Sequence, residues 1–95
     1  MAGYVIVELT VTDPTTFEEY RKVVGPTVEQ YGGKFIVRGG NAELLEGDQQ
    51  PARLVVLEFP SAERAKEWYD SEEYREPKAM RMRSSKARLL VVEGV

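Results

Sequence analysis

Neither cysteine nor histidine occurs among the 95 residues of this chain, and the two absences exclude whole classes of chemistry. Without cysteine there is no disulfide, no thiol nucleophile and no thiolate metal site. Without histidine the commonest general base near neutral pH is gone, as is the usual ligand of zinc and haem iron. Acid–base work falls to Asp, Glu, Tyr, Lys or Arg. Long apolar runs are also missing. None exceeds four residues, against the roughly 20 needed to span a bilayer as a helix. Positive charge is in deficit, with 13 Lys and Arg against 16 Asp and Glu and a net charge of −3. A nucleic-acid partner would require a basic face to displace counterions, so none is expected, and no membrane partner either. Met1-Ala2-Gly3-Tyr4 offers no basic start and no apolar leader core, which makes the cytoplasm the expected location.

What is present reads as one small domain over residues 1–95, with no linker, repeat or low-complexity tract. Tyr4 to Val11 is rich in β-branched residues and apolar on both faces, as in a central strand. Asp13-Pro14 supplies a helix start. Phe17, Tyr20, Val24, Val28 and Tyr31 then form one helical stripe, with a kink or break expected at Gly25-Pro26 and an end at Gly32-Gly33. Lys34 to Arg38 is a short strand that Gly39-Gly40 should bend or bulge, and Ala42 to Glu46 is its expected continuation. A turn follows at Gly47 to Pro51, then a strand at Arg53 to Phe59. Ser61 caps a second helix whose buried side is Ala62, Ala65 and Trp68-Tyr69. Ser71 to Tyr74 reads as a break or further turn, Pro77 to Ser84 as a short helix or loop, and Arg88 to Glu93 as the last strand.

The order β-α-β-β-α-β, with right-handed crossovers, gives an α+β domain of ferredoxin-like topology. Its four-stranded antiparallel sheet has order 4-1-3-2, with both helices on one face. The first and third strands, the most apolar, fall in the centre. Their apolar side chains alternate on both faces, yet only one face carries helices. A bare apolar sheet face of this size calls for a cover, and a second copy related by a two-fold axis is the simplest one. The expected assembly is a homodimer with sheets stacked as a dimeric α+β barrel.

The chain resembles the domain of unknown function 1330 family over nearly its whole length. The pieces that carry the resemblance are Asp13-Pro14 with Tyr20, Gly32-Gly33-Lys34-Phe35, Arg38-Gly39-Gly40, Glu46-Gly47-Asp48, Glu58-Phe59-Pro60-Ser61, Ala65 with Trp68-Tyr69, Ser71 with Tyr74, an arginine at 81 or 83, and Val92-Glu93-Gly94. Their order and spacing are specific where no single piece is. The resemblance implies the dimeric α+β barrel and no assigned activity. Proteins of similar architecture include cofactor-free oxygenases of aromatic substrates, lactone isomerases and haem enzymes. The haem branch lacks a histidine here.

Three groups of residues could carry chemistry. Glu8 and Glu58 interrupt apolar central strands, and Arg38 lies on a neighbouring one. If they share a face they form either a structural ion-pair network or an anion-orienting arginine beside a carboxylate base. Trp68, Tyr69 and Tyr74, with Tyr20 and Tyr31 from the first helix, either pack the core and its rim or wall a cleft with a hydroxyl aimed inward. Arg81 and Arg83, with Lys78 and Lys86, form either a solvated basic face or a lip that draws an acidic substrate. Gly39-Gly40 opens no phosphate loop, Glu46 and Asp48 are too few for a calcium loop, and Ser84-Ser85 has no triad partner.

The expectation is therefore a homodimer binding a small organic molecule between sheet and helices, without metal or cofactor. Glu58 and Tyr69 are the candidate catalytic residues. Arg38, Trp68, Tyr20, Tyr74, Glu8 and Arg81 are the candidate ligand-binding residues. The action would be cofactor-independent turnover of a small aromatic or acidic substrate; a non-catalytic binding or stress-related module, or a purely structural dimer, is the alternative.

Overall fold

The computed structural model describes residues 1–49 and 52–95. Seven elements follow in order: β1 (Gly3–Val11), α1 (Pro14–Gln30), β2 (Lys34–Arg38), β3 (Arg53–Phe59), α2 (Ala62–Tyr69), α3 (Glu72–Ser84) and β4 (Ser85–Glu93). Each helix begins on a side chain that accepts an otherwise unpaired backbone N–H. Asp13 accepts from Thr16, Ser61 from Arg64 and Ser71 from Tyr74. Helix α1 ends where Gly32 turns left-handed at φ 77°.

Pro26 does not break α1, which runs uninterrupted from Pro14 to Gln30. The missing N–H frees the carbonyl of Lys22, and Lys22 and Pro26 are both exposed, so water can satisfy it. The segment expected as a turn at Ser71 to Tyr74 followed by a short helix or loop is one helix, α3, with Ser71 as its cap. Its buried residues Tyr74, Pro77, Arg81 and Ser84 recur at three- and four-residue steps. Strand β4 begins at Ser85, three residues before the expected Arg88. The carbonyl of Ser84 accepts from the N–H groups of Thr12 and Asp13 at 2.8 and 3.1 Å, which ties the end of α3 to the end of β1 and starts pairing at once. Ala42 to Glu46 forms no strand. Gly39 turns the chain out of β2 at φ 75°, and its N–H closes the ladder on the carbonyl of Leu54 at 2.8 Å. The expected turn at Gly47 to Pro51 includes residues 50 and 51, which lie outside the described residues.

The sheet order is β2-β3-β1-β4, antiparallel throughout, which is the expected 4-1-3-2 read from the other edge. This is a ferredoxin-like α+β fold. β3 opposes β2 in register from Lys34–Glu58 and Phe35–Leu57. The pairing then skips to Val37–Val56 and Arg38–Val55, leaving Ile36 as a bulge. The bulge lies inside β2 rather than at the expected Gly39-Gly40.

Val5, Val7, Leu9, Leu57 and Phe59 point from the sheet into a core completed by Phe17, Tyr20, Val24 and Val28 of α1, Ala65 and Trp68 of α2, and Tyr74 of α3. The molecule is a slab measuring 36 × 35 × 16 Å, thick enough for one sheet and one helix layer. The opposite sheet face, with Ile6, Val37, Leu54, Val56, Leu90 and Val92, carries no helix, and Val37, Leu90 and Val92 are exposed by 41%, 44% and 46%.

Candidate functional site

A cavity of about 140 Å³ lies between the sheet and helices α1 and α3. Strand alternation supplies its floor. Val7 and Leu9 of β1 pair across from Val55 and Arg53 of β3, so all four face the helices. The stripe of α1 supplies Phe17, Tyr20 and Val24 as one wall, and Trp68, Tyr74 and Arg81 close the other. The mouth is lined by Arg21, Arg38, Gly39 and Arg53, all exposed. No Asp, Glu or Lys is among the lining residues.

The inner end is a chain of polar groups. Arg81 is only 4% exposed, and its Nε–H donates to the Tyr74 hydroxyl at 3.1 Å. The Tyr74 and Tyr20 hydroxyls share a hydrogen bond of 2.9 Å. Burial pushes the Tyr20 hydroxyl far above its ordinary value of 10.0, the neighbouring Tyr74 adds to the rise, and Arg81 and Arg38 only partly oppose it. The Tyr20 hydroxyl thus stays neutral at neutral pH and supplies no phenolate base. The Trp68 ring lies 4.1 Å from that of Tyr74, and its indole N–H donates to Thr27 Oγ1 at 3.0 Å. These bonds fix the aromatic wall.

Arg38 reaches this cavity because of the bulge. In a regular strand Lys34, Ile36 and Arg38 would share one face, the face of Glu58. The skip at Ile36 carries Arg38 to the helix side, where it lies 4.2 Å over the Phe35 ring. The expected meeting of Arg38 with Glu8 and Glu58 therefore does not occur. Both carboxylates stand on the bare sheet face. Glu58 takes Lys34 Nζ at 3.3 Å and the Tyr4 hydroxyl at 3.2 Å, and Glu8 faces Arg88 at 3.9 Å. That hydrogen bond and the charge of Glu58 hold the Tyr4 hydroxyl above its usual range.

The structure brings Arg38, Tyr20, Trp68, Tyr74 and Arg81 together at one cavity and leaves Glu8 and Glu58 outside it. Tyr69 stands behind Tyr74, at 6.1 Å between rings, and lines a separate hollow of about 270 Å³ along β4 with Val5, Asp70 and Leu90. Lys78 is 3.9 Å from the Tyr69 ring and donates to its carbonyl at 2.9 Å. Sequence reasoning missed Arg53 and Arg21. Arg53 shares strand parity with the buried Leu57 and Phe59, a signal that placed it on the helix side. Among the described residues no group of three His, Cys, Asp or Glu could hold a metal, and no helix is long and apolar enough to cross a membrane.

The family model described as Domain of unknown function (DUF1330) matches residues 2–95. The chain belongs to this family. No curated protein matches the sequence. Among solved structures, the DUF1330 chain is similar to RPA0582 of Rhodopseudomonas palustris, a protein of unknown function. That match has 18% identity and a TM-score of 0.77 over 99% of this chain and 82% of that one. It is also similar to SnoaB of Streptomyces nogalater, a cofactor-independent oxygenase, with 11% identity and a TM-score of 0.67 over 99% and 93%. An ethd family protein of Bacillus halodurans matches at 15% identity and a TM-score of 0.61 over 100% and 99%. At these identities the likeness is one of fold.

Proposed function

We propose that this DUF1330 protein is a homodimer in which each subunit binds a small organic molecule in the cavity between sheet and helices. The observation that carries the reading is the cavity itself, with aromatic walls from three helices and polar groups gathered at its inner end and mouth. An engineered apolar cavity of about 150 Å³ admits benzene, so about 140 Å³ suits a single-ring ligand. The bare sheet face supports the dimer. Its apolar stripe crosses all four strands, and stacking a second copy would remove it from water. Turnover without a cofactor, on a small aromatic or acidic substrate, would rely on arginines and hydroxyls at the cavity. SnoaB shows that a chain of this fold can be a cofactor-independent oxygenase.

The second reading is a binding module without chemistry. Two features favour it: the lining includes no carboxylate, and the Tyr20 hydroxyl stays neutral. Glu58 and Tyr69, the candidate catalytic residues, lie off this cavity.

The test uses Trp68, the single tryptophan, which lines the cavity. Quinols, lactones and acidic aromatics are titrated against the folded dimer while Trp68 fluorescence is followed, and native mass spectrometry seeks a co-purified ligand. Saturable quenching by one class supports binding, and consumption of that compound separates enzyme from binding module. A folded dimer in which no compound perturbs Trp68 overturns the cavity as a binding site.

A further inference from the structure

Arg81 is a buried cation without a counterion. The described residues form six ion pairs, all with at least one surface partner, and Arg81 is in none of them. Among the described residues its side chain makes one hydrogen bond, from Nε to Tyr74, and no buried side-chain nitrogen is left without a partner, so the unbonded terminal nitrogens are not sealed off where Arg81 lines the cavity. A guanidinium cannot shed its proton to escape burial, and buried charges in proteins are ordinarily paired.

The tyrosines beside it leave one more donor free. If Tyr20 donates to Tyr74, the Tyr74 proton has no protein acceptor; if Tyr74 donates to Tyr20, the Tyr20 proton has none. Either way the inner end presents guanidinium N–H groups and one phenolic O–H, and no carboxylate. The wider lining repeats the bias. Four of the chain's 13 basic residues (Arg21, Arg38, Arg53 and Arg81) meet at this cavity, and none of its 16 acids does. Such a set of donors complements an anionic oxygen.

Resting on the cavity being a binding site, we infer that its ligand is a single-ring aromatic anion whose charged oxygen sits against Arg81 and the Tyr20–Tyr74 hydroxyls. The ring lies among Phe17, Val24 and Trp68, and the open end faces Arg38. A carboxylate and an ionised phenol or enol share this chemistry. The lining holds no carboxylate or lysine to take a proton, so an acidic phenol ionises by releasing its proton to water or buffer at the open mouth, and Arg81 stabilises the phenolate that remains.

Two experiments test this. In the first, the intact protein is titrated with benzoate, with benzamide as the uncharged isostere and with inorganic phosphate, each followed by Trp68 fluorescence. Benzoate should bind about tenfold or more tightly than benzamide, the scale of a charge-assisted hydrogen bond, and R81Q should reduce benzoate to the level of benzamide. Equal binding of benzoate and benzamide overturns the anion preference and leaves the cavity reading standing. Phosphate competing as well as benzoate overturns the aromatic body. No response to either ring compound overturns both readings. The second experiment needs no variant and so survives an unfolded R81Q. 4-Nitrophenol is added at a pH below its solution midpoint, where it is colourless. Yellow phenolate appearing in proportion to protein supports the inference, and a bound nitrophenol that stays protonated overturns it.

Discussion

The guanidinium of Arg38 lies 4.2 Å above the ring of Phe35, three residues back on the same strand. Residues three apart on a regular strand point to opposite faces. They meet here because Ile36 is inserted between the Phe35–Leu57 and Val37–Val56 pairs. One extra residue thus decides whether the cavity has an arginine at its mouth or the bare face has a third charge beside Glu58.

Replacing Arg38 should separate binding from folding. The side chain is exposed and makes no ion pair among the described residues, so R38M should cost no more than about 1 kcal/mol, the scale of the lost contact with Phe35. Affinity for an anionic ring compound should fall by about 1.5 kcal/mol or more if Arg38 completes its recognition. Calorimetry of folding and a Trp68 titration measure the two. An unchanged affinity in the folded variant would remove Arg38 from the site.

The same bulge marks how far sequence reading reached. Element order, central strands and sheet order followed from Val and Ile runs, Gly-Gly stops and Asp or Ser caps, because those signals are local. The phase of β2 was not legible, since Ile36 looks like any β-branched strand residue and its insertion is set by the partner strand. Helix α3 was half-read for another reason. Its buried stripe is Tyr74, Pro77, Arg81 and Ser84, which shows no aliphatic periodicity although the spacing is helical. Arg81 is a ligand-binding candidate by sequence only as part of a basic stretch that reads equally as a solvated face, whereas in the fold it is buried and bonded to Tyr74 at the cavity. Trp68 and Tyr20 are legible from sequence because large aromatic side chains favour burial wherever the chain goes.

Charge placed on the bare sheet face should break the proposed dimer. Val56 lies at its centre on β3, opposite Ile6. V56K would bury an unpaired ammonium in the interface, at a cost of about 3 kcal/mol or more, or roughly a hundredfold in dissociation constant. Sedimentation velocity should show a monomer at concentrations where the parent is a dimer, with helical circular dichroism retained. A dimer of unchanged strength would place the interface elsewhere.

The aromatic wall depends on a buried relay. Thr27 Oγ1 donates to the Val24 carbonyl at 2.7 Å and accepts from the Trp68 indole at 3.0 Å. T27V keeps the shape but leaves the indole N–H without an acceptor, a cost of about 1–3 kcal/mol. In a domain of this size each kcal/mol lowers Tm by about 4–8 °C. T27S restores the hydroxyl and should recover most of the loss, which distinguishes the hydrogen bond from packing as the cause.

Alkaline stability should report the Tyr20 hydroxyl. Burial, then Tyr74, raises its folded-state value far above the ordinary 10.0. In the unfolded chain Tyr20 releases its proton near pH 10, whereas the folded protein keeps it. Above that pH the folded state binds more protons than the unfolded state, so stability falls as pH rises. The contribution is fully present below pH 10 and is lost above it by up to about 1.4 kcal/mol per pH unit for one tyrosine. Y20F has no proton to release and should shallow the fall of Tm between neutral pH and pH 11, while losing some stability at neutral pH because Tyr74 is left without that partner. Parallel slopes for Y20F and the parent would show that Tyr20 ionises in the folded protein as it does in water, and that the cavity's inner end is wet.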